Sequence, residues 1–115
     1  MKLRVHDLIG ELCMTYEDGE ALLAKLLPAL IDYPQVEVEF EDTRVHMAHF
    51  FNGSIVALLE SYSRDELHQR LSIRNLSGNA AKTLSACLDS GEQYYHDPAY
   101  RQAVDAVMEK YAAEF

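Results

Sequence analysis

The sequence has only two cysteines, Cys13 and Cys87, far apart and without a Cys-x-x-Cys pair. Neither a disulfide framework nor a zinc ribbon is indicated, and two small buried thiols remain. Basic residues are also scarce. Ten Lys and Arg stand against nineteen Asp and Glu, a formal charge of -9. That balance repels phosphate backbones and anionic lipid, so it argues against nucleic acid and membrane surfaces as partners. No apolar run reaches the length of a membrane span or a secretory h-region, and Met1-Lys2-Leu3-Arg4 leads straight into a strand pattern, so the expected location is the cytoplasm. The five glycines, at 10, 19, 53, 78 and 91, are scattered, which removes a glycine-rich phosphate loop. There is no repeat, low-complexity tract or linker long enough to divide the chain. With 115 residues, 49% of them hydrophobic, one core is expected.

What is present alternates between two periods. Leu3 and Val5 against Lys2, Arg4 and His6 predict a first strand ending near Gly10. Thr15-Tyr16-Glu17-Asp18 reads as a capping box opening a helix, with the stripe Leu22, Leu23, Leu26, Leu27, Leu30 and Ile31. Pro28 lacks the amide that would bond Ala24, which predicts a kink or a break into a short final turn. Val36, Val38 and Phe40 alternate with Glu37, Glu39 and Glu41 as a central strand. Phe51, Ile55, Leu58 and Tyr62 then share one helical face up to Tyr62. Asn52-Gly53 is also a hairpin signal, but Ala57-Leu58-Leu59-Glu60 are helix formers in phase with Phe51, and a glycine inside a helix costs only about 1 kcal/mol.

The remaining segments are capped in turn. Ser63-Arg64-Asp65-Glu66 opens a short helix, and Leu71 to Leu76 form a strand. Ser77 caps a helix carrying Ala80, Ala81, Leu84, Cys87 and Leu88, expected to stop near Gly91. Asp97-Pro98 restarts helix with the stripe Tyr100, Val104, Val107 and Tyr111. An isolated helix of that length is marginal, so its stripe should be covered by the chain's own body or a second copy. Tyr94-Tyr95-His96 reads as packing for it.

Strands covered on both faces are apolar throughout, whereas these alternate. One face collects Leu3, Val5, Val36, Val38, Phe40, Leu71 and Ile73; the other collects Lys2, Arg4, His6, Glu37, Glu39, Glu41, Ser72 and Arg74. The expected fold class is α/β: a two-layer sandwich of a mixed β-sheet with helices mainly on one face, plus an extra C-terminal helix. Residues 1–96 form the domain, and 97–115 the helix packed on it. On the charged face, cross-strand pairs of opposite sign add about 0.2 to 1 kcal/mol each. That face is either solvated and salt-bridged or a polar docking surface.

The junction Asp42-Thr43-Arg44-Val45-His46-Met47-Ala48-His49-Phe50 carries the candidate site. A helix amino end leaves four amides unpaired, usually met by Ser, Thr, Asp or Asn, and residues 45–50 contain none. His49, water or a ligand must serve, and such an end attracts anions and partner carboxylates. His46-x-x-His49 offers two metal ligands, with His6 as a third from a neighbouring strand, but no third local ligand completes the set. Neither cysteine carries a mark of activation. The candidate partner-binding residues are Arg44, His46, Ala48, His49 and Asn52, with no catalytic residue, metal ligand or cofactor assigned.

Glu39-Phe40 ending the central strand, Phe50 opening the next helix and Ile73-Arg74-Asn75-Leu76-Ser77 together resemble STAS domains. These modules are named for sulphate transporters and anti-sigma-factor antagonists, and the likeness is greatest to the STAS-like family of unknown function. It covers about Leu3 to Tyr95. The resemblance implies a bacterial-type regulatory fold that signals by protein–protein interaction rather than by catalysis. Its partner would be a kinase-like or sensor protein, and the chain a monomer or homodimer. In anti-sigma-factor antagonists a phosphorylatable serine begins this helix, and a partner kinase docks there. Here the matching positions are Met47, Ala48 and His49, with no hydroxyl before Ser54. What remains is a docking surface without the usual switch. The alternative is a small metal- or ligand-binding protein, or an enzyme, using the His46/His49 helix end.

Overall fold

In a computed structural model that describes the backbone of residues 1–114 and the side chains of residues 1–110, strand and helix alternate from the first residues. The elements are β1 (Lys2–Arg4), α1 (Val5–Ile9), β2 (Leu12–Cys13), α2 (Tyr16–Asp32), β3 (Val36–Glu39), β4 (Arg44–His46) and α3 (Ala48–Gly53). A 3₁₀ segment (Val56–Glu60), α4 (Arg64–Arg70), β5 (Leu71–Arg74), α5 (Gly78–His96) and α6 (Pro98–Glu114) follow. Three strands form one sheet in the order β1-β3-β5, and β2 pairs with β4 in a second. Every pairing is parallel, so the expected mixed sheet is corrected to a parallel one. The reason is the helix between successive strands of the larger sheet, which returns the chain to the end where it started.

The register places Leu3 beside Val38 and Val38 beside Ile73, while Lys2 faces Glu37 and Glu39 faces Arg74. The apolar row enters the core with α2 and the 3₁₀ segment. On the other side Lys2 reaches Glu37 at 3.7 Å and Glu39 at 3.8 Å, and Arg74 reaches Glu37 at 3.3 Å, so the expected cross-strand pairs form. Glu39 is more than a solvated partner. It is 5% exposed, and Asn75 Nδ2 donates to its Oε2 at 2.7 Å. That bond, with Lys2 and Arg4 nearby, holds its carboxyl below the ordinary value of 4.5.

Several expected boundaries move, each for a packing reason. The first strand stops at Arg4, because Val5 turns inward at the start of α1 and Gly10, at φ +87°, ends that helix with its amide on His6 O. Thr15 caps α2 by accepting from the Asp18 amide at 3.0 Å. Pro28 does not break α2, which runs on to Asp32. Ala24 and Pro28 are both exposed, so the carbonyl left unbonded meets water. The helix expected to reach Tyr62 ends instead at Gly53. Ser54 leaves helical geometry, its hydroxyl donating to Phe50 O at 2.8 Å, and a tighter 3₁₀ turn continues. Phe50, Phe51, Ile55, Val56, Leu58 and Leu59 are all buried there, so packing on every side sets the path. The hairpin reading of Asn52-Gly53 fails as well.

Two glycines let α2 and α3 cross closely. A methyl group built on Gly19 would overlap the Phe50 carbonyl, and one on Gly53 would come within 2.6 Å of Tyr16 O. Gly91 does not stop α5, which continues to His96. Its Cα lies against Val56 and Leu59, where a side chain would strike Val56. The caps of the later helices form as expected. Ser63 and Glu66 close a reciprocal box, Ser77 accepts from the Ala80 amide, and Asp97 accepts from Ala99 and Tyr100. On α6, Tyr100 and Val104 are half-buried, Val107 is 52% exposed, and the side chain of Tyr111 lies outside the described residues. Among the described residues no helix is long and apolar enough to cross a membrane.

Candidate functional site

The junction after β3 is built by a strand pair that the sequence pattern does not announce. Arg44 donates its amide to Glu11 O at 2.6 Å, and Met47 donates to Cys13 O at 2.9 Å. These bonds fasten β4 to β2 on either side of Val45, whose φ is +56°. A β-branched residue in that region stores roughly 1–3 kcal/mol of strain, held by the pairing around it. Cys13 points into the core, so Leu12 and Met14 point outward. Val45 and Met47, on the paired strand and just after it, are exposed as well.

Each predicted residue has a definite place. Arg44 is exposed and ion-paired with Glu11 at 3.0 Å. His46 turns inward. Its ring stacks on Phe51 at 6.4 Å and meets the edge of Phe40 at 5.7 Å. Thr43 Oγ1 donates to Phe40 O and lies 2.9 Å from His46 Nε2, so the ring nitrogen must donate to the hydroxyl. Ala48 and His49 are exposed at the start of α3, where Met47 provides no side-chain cap and His49 does not supply one. The expected attraction of anions to this end is weak, because α3 has only six residues over which dipoles can add.

His46 and His49 do not converge. His49 joins Asn52 on the wall of a groove of about 530 Å³ between α3, α5 and α6, while His46 faces Thr43 and Phe51. Among the described residues no three His, Cys, Asp or Glu are grouped to hold a metal. Burial pushes the Cys13 thiol up to about 11 despite the Thr43 hydroxyl beside it, and raises Cys87 too, so both rest as protonated thiols. Four tyrosines also line the groove, Tyr16, Tyr94, Tyr95 and Tyr100, together with Asp105 and the smaller or aliphatic Val56, Ser90, Gly91, Val104 and Met108. In the sequence Tyr94 and Tyr95 read as packing for the last helix, Tyr100 as part of its stripe and Tyr16 as part of a cap; the convergence of these tyrosines from three helices has no sequence signal. Leu12-Cys13-Met14 between Gly10 and the Thr15 cap was the available sign of the short strand β2.

Burial also lowers the His46 value from the ordinary 6.5. The folded state then binds this proton more weakly than the unfolded chain. Stability is therefore full above the unfolded value and falls as pH drops through about 6.5. Urea midpoints at pH 7.5 and 5.5 should fall for the natural chain and fall less for His46→Phe, which keeps the ring stack; equal falls would place the titration elsewhere.

A family model described as a STAS-like domain of unknown function (DUF4325) matches residues 18–81. That span runs from α2 to the first turn of α5 and contains the junction with Arg44, His46, Ala48, His49 and Asn52. No curated protein and no solved structure matches the chain.

Proposed function

Since the chain belongs to the STAS-like domain family of unknown function, whose model spans residues 18–81 of 115, we propose that it is a non-catalytic regulatory module that docks a protein partner on the β2–β4 pair and the start of α3. The observation that carries this reading is the exposure of four apolar side chains on and beside this strand pair, Leu12, Met14, Val45 and Met47, with Arg44, His49 and Asn52 exposed on the neighbouring segment. Apolar patches with polar rims mark interaction surfaces. The strained Val45 on the same strand pair adds to the case, since strained backbone clusters at functional sites. Two protonated thiols and two divergent histidines speak for a binding role over the enzymatic alternative.

A serine-type switch has no foothold here. The hydroxyls that flank the junction, Thr43 and Ser54, both donate to backbone carbonyls, and Ser54 is fully buried. Incubation of the folded chain with ATP and a lysate of its source cell should leave residues 43–54 unmodified by mass spectrometry. A phosphate on Thr43 would mean that the switch had moved by a few residues.

Docking is tested with three variants and the protein captured from the source cell. His49→Ala and Met47→Glu should each change stability by less than about 1 kcal/mol, since both positions are exposed, while weakening capture about tenfold. Ile31→Glu, at a position 79% exposed on α2, should leave capture intact. Loss of capture in Ile31→Glu alone would move the interface to α2, and unfolding of His49→Ala would make His49 a structural residue.

A further inference from the structure

The groove beside the proposed docking end has an unusual lining. Tyr16 comes from the first turn of α2, Tyr94 and Tyr95 from the end of α5, and Tyr100 from the first turn of α6. Among the described residues Asp105 is the one carboxylate on this wall, and no Lys or Arg lines it. Aromatic faces carry negative potential, so rings gathered around a carboxylate favour a cation. A cation of the chain itself already sits at two of these rings. The Arg101 guanidinium lies 5.2 Å from the Tyr94 ring centroid and 5.8 Å from that of Tyr95, yet Arg101 is not part of the groove wall.

The parts are held in place. Tyr94 and Tyr95 meet edge to face at 5.0 Å, and the Tyr94 hydroxyl donates to Asp105 Oδ1 at 2.7 Å, which fixes the carboxylate. Gly91, also on the wall, lets α5 pack closely on Val56 and Leu59. The space of about 530 Å³ lies within the range of ligand sites and holds a long side chain with its stem.

We propose that this groove receives a cationic side chain, an arginine or lysine of the docking partner, between the tyrosine rings with Asp105 as counter-charge. The inference rests on the reading of the α3 end as a docking surface, to which His49 and Asn52 join the groove. It names the partner's chemistry: a basic surface, drawn by a chain of charge -9.

The test uses the full chain and two capped pentapeptides, Gly-Gly-Arg-Gly-Gly and Gly-Gly-Glu-Gly-Gly, followed by NMR of the tyrosine rings at low salt. The arginine peptide should shift Tyr16 and Tyr100 saturably, with a Kd on the order of 1–10 mM for a single side chain. The glutamate peptide should not. Asp105→Asn should weaken binding about fivefold without lowering the melting temperature, because the amide oxygen still accepts from Tyr94 while the charge is gone. Tyr16→Leu, which removes an exposed ring from the wall, should weaken it similarly. Absence of saturable shifts, equal shifts from both peptides, or full binding by Asp105→Asn would each overturn the inference and leave the tyrosines as a clasp for α6. If Met47→Glu abolishes partner capture while the arginine peptide moves nothing, the docking reading stands and this inference falls. If the arginine peptide binds while Met47→Glu captures normally, the cation site stands and docking on the strand pair falls.

Discussion

Alanine at position 19 is expected to cost about 3 kcal/mol or more, although propensity alone would have alanine stabilise the middle of a helix by up to about 1 kcal/mol. The sign reverses because of what crosses there. A Cβ on Gly19 overlaps the Phe50 carbonyl and comes within 3.2 Å of the Gly53 Cα. Backbone atoms cannot rotate aside as a flexible side chain would, so α2 and α3 must move apart. That displaces Phe50 and Phe51, both fully buried, along with the residues just before them that carry the docking end. Against a total stability of 5–15 kcal/mol, a loss of about 3 is large. Urea denaturation measures it. Gly78→Ala is the control, since nothing lies within 4 Å of a Cβ there, and it should be neutral or gain up to about 1 kcal/mol. A Gly19→Ala chain as stable as the parent would mean that α2 and α3 do not cross this closely.

Removing the guanidinium of Arg70 is expected to cost about 2 kcal/mol. Arg70 donates to three carbonyls at the carboxyl end of α2: Leu30 O, Tyr33 O at 2.8 Å and Pro34 O at 3.2 Å. A helix leaves its last carbonyls unpaired, and a cation suits that end of the dipole. The guanidinium also lies 5.7 Å from the Tyr62 ring. Arg70→Met keeps the apolar stem and loses every one of these bonds. Arg70→Lys should recover only part of the loss, because an ammonium cannot span three carbonyls with a planar fork. A loss below about 0.5 kcal/mol for Arg70→Met would show that water satisfies the carbonyls equally well. The consequence for architecture is that α2 is fixed at both ends, by the glycine crossing at one and by Arg70 at the other.

Features decided within a few residues were legible in the sequence. The alternation of Val36 to Glu39, the Ser63 box and the caps at Ser77 and Asp97 depend on local geometry, and each forms. The charged sheet face was legible too, because the pleat alone puts Lys2, Glu37 and Arg74 on one side. Features decided by what lies opposite were not. Gly91 reads as a helix stop but serves contact with Val56 and Leu59, and Gly19 carries no signal until α3 is known to cross it. The β2–β4 pair escaped because strands of two and three residues have no period to detect, and Val45 adopts a conformation that its side chain disfavours. At the site, the stretch from Arg44 to Asn52 was found because a helix start without a capping residue is a local anomaly. That His46 turns inward while His49 faces the groove follows from the Phe40, Phe51 and Thr43 contacts, which are tertiary.

Docking on the β2–β4 pair and the start of α3 is tested most directly by amide hydrogen exchange of the full chain, free and bound to the protein it captures from its source cell. Slowed exchange at residues 12–16 and 44–52, with α1 and the outer face of α2 unchanged, is the expected result. Protection elsewhere, with none at 44–52, would contradict it.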